Sequence, residues 1–62
     1  MTRVIEGEKL LTARQVATIL GVHVLTVHLW VREGLLPRPL KIGHFARWKA
    51  SEIDRWVDHL SS

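Results

Sequence analysis

Apolar residues recur at helical spacing in three stretches of the chain and alternate with polar ones in a fourth. Between Leu11 and Gly21, Val16, Ile19 and Leu20 form one apolar stripe. Thr12 stands before the stripe with Gln15 three places on, and Leu11 and Val16 flank them as a hydrophobic staple. A helix is therefore predicted to start near Ala13 behind a capping box. Gly21 supplies the left-handed residue that ends this helix after about two turns. A second helix is predicted from about Val24 to Glu33, with His23, a poor capping residue, in the cap position and Gly34 closing the end. At about 3.6 residues per turn, Val24, Val27, Trp30 and Val31 share the core-facing side, while Leu25, Thr26, Leu29, Arg32 and Glu33 lie opposite.

Pro37 and Pro39 exclude helix and hold Arg38 in an extended segment. A hairpin is predicted next. With a three-residue loop of Gly43, His44 and Phe45, Ile42 opposes Ala46, Lys41 opposes Arg47 and Leu40 opposes Trp48. This register separates the faces, placing Leu40, Ile42, Ala46 and Trp48 inward. Lys41 and Arg47 then sit side by side outward, an unfavourable pair unless an anion lies between them. The alternative is a two-residue Gly43-His44 turn, which pairs Ile42 with Phe45 and mixes the faces. From Ser51 onward, Ile53, Trp56, Val57 and Leu60 fall at i, i+3, i+4 and i+7, and Glu52 and Asp54 suit the start of an amphipathic helix. Trp30, Trp48 and Trp56 are expected in the core, as the largest buried areas open to so small a chain.

The order helix, helix, hairpin, helix makes a mainly α fold with a small β-hairpin, a compact winged helix-turn-helix in which the hairpin is the wing. Sixty-two residues allow a single domain. Residues 1–9, without periodicity, are expected to be a flexible N-terminal arm, in which Val4 and Ile5 could pack and Arg3 could reach a phosphate; residues 10–62 form the domain. Cysteine is absent, so neither disulfides nor a thiolate zinc site can support the fold. No apolar run approaches the roughly 18 residues of a membrane helix, and the first nine residues carry charge where a signal peptide needs hydrophobicity. A cytoplasmic protein with no membrane partner is expected.

Charge changes the picture further. The formal net charge is only +3, but residues 32–49 hold Arg32, Arg38, Lys41, Arg47 and Lys49 against Glu33 alone. This segment seeks a polyanion. The last segment sets Glu52, Asp54 and Asp58 against Arg55, which suits a solvated face or a protein partner. The histidines are scattered. His23 and His28 lie five apart, roughly 140° around a helix, and cannot converge on a metal. "KIGHFAR" has one glycine, too few for a phosphate loop. No catalytic residue, metal, cofactor or small-molecule substrate is expected.

The run "LLTARQVATILGVHVLTVHLWVREGLLPRPLKIGHFARWKASEIDRWV" resembles the small excisionase and AlpA-type proteins of phages and integrating elements, which share a MerR-like winged helix. The likeness rests on "LLTARQVA" at the first helix, "LG" at the turn, "TV" and "WVREG" in the second helix, "LPRPLKIG" before the wing and "RWKASEIDRWV" after it. It implies double-stranded DNA as partner, with the second helix in the major groove and the wing in the minor groove. It also implies cooperative binding of adjacent copies, DNA bending, and assistance to a phage-type integrase in excision. Other such proteins regulate transcription.

On this reading the recognition helix presents His23, Val24, Leu25, Thr26, His28, Leu29 and Arg32. The wing and its flanks present Arg38, Lys41, His44, Arg47 and Lys49. Asp54, Arg55, Asp58 and His59 on the last helix are where an integrase would dock. The departures are His23, Val24 and Leu29, where the family commonly has a serine-type cap and polar side chains. Outward leucines cannot hydrogen-bond a base edge, though they can meet a thymine methyl, and His28 could reach a guanine or a phosphate. Specificity would then rest on few base contacts, on DNA shape and on several copies side by side. A reading of another class is a protein-interaction adaptor, in which Leu25, Leu29 and Leu35 form an exposed apolar patch.

Overall fold

The computed structural model describes residues 9–61, and the expectations for Arg3, Val4 and Ile5 lie outside the described residues. The elements run β1 (Leu10–Leu11), α1 (Ala13–Leu20), α2 (Val24–Arg32), β2 (Leu40–Ile42), β3 (Phe45–Lys49) and α3 (Ala50–Ser61). This is the expected winged helix-turn-helix, mostly helical with an antiparallel wing.

The first helix starts where its sequence directs. The Gln15 N–H donates to Thr12 Oγ1 at 3.1 Å, and the Gln15 side chain accepts from the Thr12 N–H at 2.8 Å, closing the capping box. Gly21, at φ 71°, ends the helix, and the Val22 N–H returns to the Ala17 carbonyl at 2.9 Å. The chain then bends by 99° into α2. No single helix among the described residues is long and apolar enough to cross a membrane; α1 and α2 reach that length only as this sharply bent pair. His23 does cap α2, with its Nδ1 accepting from the Leu25 N–H at 3.1 Å. That bond requires Nδ1 to be unprotonated and leaves Nε2–H as a free-facing donor in the neutral ring.

The core is wholly apolar: Leu11, Val16, Ala17, Val27, Leu36, Trp48 and Ile53 are buried. Trp30 and Trp56 are half-buried against it, their ring centroids 6.3 Å apart at 45°. Two expected core positions turn out exposed, Ile19 on α1 and Leu60 on α3. On α1, Ala17 is buried beside Val16 in place of Ile19.

The strand order is β1-β3-β2, all antiparallel. Strand β1 was not anticipated, since two residues carry no period. Leu10 pairs with Lys49 and Leu11 with Trp48, and the Ala50 N–H donates to the Lys9 carbonyl at 2.8 Å. The wing register also differs from the expected one. Ile42 pairs with Phe45, Lys41 with Ala46 and Leu40 with Arg47, around a two-residue turn of Gly43 and His44. Gly43 has φ 63° while His44 has an ordinary negative φ. Glycine at the first of two turn positions is the pattern of a type II′ hairpin, whose twist matches that of the strands. Leu40 and Ile42 therefore face outward with Phe45 and Arg47, while Ala46 and Trp48 face the core.

Tryptophan fixes the connection between α2 and the wing. The Trp56 indole N–H donates to the Leu35 carbonyl at 2.7 Å, and the Trp48 indole N–H to the Pro37 carbonyl at 2.8 Å. Between these two carbonyls the Leu36 side chain is buried. The Leu35 and Leu36 N–H groups donate to the Trp30 carbonyl at 2.8 and 3.2 Å, and beyond them Pro37 and Pro39 offer no N–H, so the stretch is held by these bonds, by its two carbonyls and by the Leu36 side chain.

Candidate nucleic-acid interface

The outer side of α2 carries His23, Leu25, His28, Leu29 and Arg32, all exposed; Leu25, at 69 %, is the most open large apolar residue of the chain's described part. Thr26 is half-buried at the edge of this side. Val24 belongs elsewhere. It is half-buried and packs against the core, so it contributes support for the helix and little surface to a ligand.

On the wing and its flanks, Arg38, Lys41, His44 and Lys49 are exposed and Arg47 is half-buried. The observed register puts Lys41 across from Ala46 and Arg47 across from Leu40, on opposite faces of the ribbon. The expected side-by-side pair of cations is thus absent, and with it the inference that an anion must lie between them. Arg47 is instead turned back on its own strand: its Nη1 donates to the Ala46 carbonyl at 2.8 Å, and its Cζ lies 5.2 Å from the centre of the Phe45 ring. The wing is cationic on both faces.

Sequence reasoning missed Phe45 as a surface residue. Its signal was the glycine at the first turn position, which fixes the two-residue turn and so the outward side of every wing residue.

Asp54, Arg55, Asp58 and His59 are exposed on α3. The two aspartates line a cleft between α1 and α3 with Ile19, Leu20, Val57 and Leu60; Arg55 and His59 do not reach it. No group of three histidine, aspartate or glutamate side chains gathers at metal-binding distance among the described residues.

A right-angled helix pair followed by a two-stranded wing, with the cationic segment spanning both, is the geometry of a known domain. The family model described as helix-turn-helix domain matches residues 10–61. The chain belongs to the helix-turn-helix domain family. The match covers every element from β1 to α3, so the wing and the last helix are parts of this helix-turn-helix domain along with the helix pair. Membership supports DNA as the partner. No curated protein and no solved structure matches the chain.

Proposed function

We propose that this helix-turn-helix protein is an architectural DNA-binding protein of excisionase type, which binds adjacent sites cooperatively, bends the duplex and directs a phage-type integrase toward excision. A prophage transcription regulator would use the same contacts. Helix α2 enters the major groove with Leu25, His28, Leu29 and Arg32, while His23 and Thr26 lie at its start. Arg38, Lys41, His44 and Lys49 meet the backbone beside the wing, and Arg47 meets it from the outer face. A recombinase docks on the acidic side of α3, around Asp54 and Asp58, with Arg55 and His59 at its margin.

The observation that carries this reading is the placement of five cations against one acid on the same segment that supplies the end of α2 and the whole wing. An α2 surface whose middle is Leu25, His28 and Leu29, with Arg32 at its end, offers few hydrogen bonds to bases, so affinity rests on phosphates and specificity on shape.

The test is selection of duplexes from a randomised pool on the wild-type protein, followed by affinity measurements over a range of salt. Because each phosphate contact contributes about 0.9 to the slope of log affinity against log salt, Lys41→Ala/Lys49→Ala should lower that slope by about two. Failure to recover any duplex with folded protein would sink the proposal.

The adaptor reading keeps one specific support, the exposure of Leu25 and Leu29 on the outer side of α2; Leu35, also exposed, lies instead beside Trp30, Trp56 and Leu60. Leu29→Arg separates the two: it adds a phosphate contact and strengthens DNA binding, but abolishes binding to an apolar protein surface.

A further inference from the structure

The outer face of the wing is apolar where a solvated ribbon would be polar. Leu40, Ile42 and Phe45 are 44 %, 49 % and 60 % exposed, and the register places all three on one face with Arg47. Exposed strands are ordinarily blunted by charge, and nothing among the described residues covers these side chains. Ile42 and Phe45 stand directly opposite each other next to the turn, so they form the tip of the wing. His44 stands beside them in the turn, Lys41 flanks Ile42 on the other face of the ribbon, and the Arg47 guanidinium lies 5.2 Å from the centre of the Phe45 ring.

The chemistry of the occupant follows from this combination. It must accept an aromatic ring and an aliphatic side chain while placing negative charge within reach of Arg47 on the same face and Lys41 on the other. A protein surface would have to be apolar and acidic together. The minor groove of a duplex is both by construction, with apolar sugar walls and stacked bases between two rows of phosphate. Phenylalanine, leucine and isoleucine are the side chains that enter a base step from that groove and kink it.

We propose that Phe45, with Ile42 beside it, is a wedge that enters the minor groove and unstacks a base step, and that Arg47, held on the Phe45 ring, neutralises phosphate at the lip of the groove. The proposal rests on the DNA-bending reading above and names the residue that does the bending. Contact with phosphates alone can curve a duplex smoothly with its bases stacked; insertion of the ring instead unstacks one step and opens it toward the wing.

The experiment uses the duplexes selected on the wild-type protein, labelled at both ends for energy transfer and carrying 2-aminopurine at successive steps along the site. Wild-type protein is expected to shorten the end-to-end distance and to raise 2-aminopurine fluorescence at one step. Phe45→Ala should abolish both changes and weaken binding by about tenfold, while Phe45→Leu, still a wedge, keeps most of the bend. Since the ring is mostly exposed, Phe45→Ala should melt at nearly the wild-type temperature. A wild-type complex that leaves the duplex straight and stacked, or an alanine variant that bends it as well as wild type, overturns the wedge while leaving DNA binding intact. Wild-type protein that recovers no duplex overturns the underlying reading instead.

Discussion

His23 stands at the start of α2 in a role that serine, threonine or aspartate usually fills. Its ring succeeds because Nδ1 lies near the backbone, close enough to accept from Leu25 two residues on. Replacing it by alanine leaves that N–H without its side-chain partner, and loss of such a cap costs about 1 kcal/mol. His23→Ala should therefore lower stability by about that amount in urea titrations, whereas His23→Ser, which restores an acceptor, should stay within a few tenths of a kcal/mol of wild type. The two variants also separate capping from DNA contact. If serine restores stability but not affinity, the imidazole itself touches the nucleic acid.

At the scale of elements the wing turn decides most. A side chain added at Gly43 would meet no atom within 4 Å, so any cost of Gly43→Ala comes from the backbone at φ 63°. That cost is about 1 kcal/mol, enough in a domain of this size to lower the melting temperature by about 4–8 °C. Gly43→Asn should recover part of the loss, because asparagine tolerates positive φ. The helices were legible in the sequence because their ends carry chemistry: Thr12 with Gln15 and Gly21 each act through a bond or a φ that only a few residues supply. The wing register was not. Choosing between the two registers by separating apolar from polar faces assumes that the apolar face is buried, and the outer wing face is not. A one-residue slip then turns every side chain of β2 to the other face while Ala46 and Trp48 stay inward, and the pairing of Lys41 with Arg47 goes with it. Strand β1 escaped for a simpler reason, since Leu10 and Leu11 become a strand only through β3. Of the interface residues, the exposed side of α2 was readable from helical period, and so was Val24 on the core-facing side; it was the resemblance that placed Val24 among the DNA-binding residues, and the structure keeps it against the core.

At the scale of the molecule, stability is concentrated in few groups. Among the described residues, seven buried side chains, Trp48 one of them, and the half-buried Trp30 and Trp56 carry a domain too small to spare any of them. Trp48→Phe should cost about 2 kcal/mol, through lost packing and an unpaired Pro37 carbonyl. Trp56→Phe, at a half-exposed site, should cost about 1 kcal/mol through the bond to Leu35. Denaturant titration followed by circular dichroism checks both, and equal losses would show that the hydrogen bond outweighs packing at each site.

The two indoles reach the linker from different sides, Trp48 from a strand and Trp56 from the last helix, and grip carbonyls that flank the buried Leu36. Freeing the wing from α2 would break both bonds and unseat Leu36, disturbing β3 and α3 together. There is accordingly no cheap partial opening of this domain: wing and recognition helix belong to a single cooperative unit. The spacing of its two prongs is therefore a fixed gauge, and a duplex that touches both must take up the strain itself.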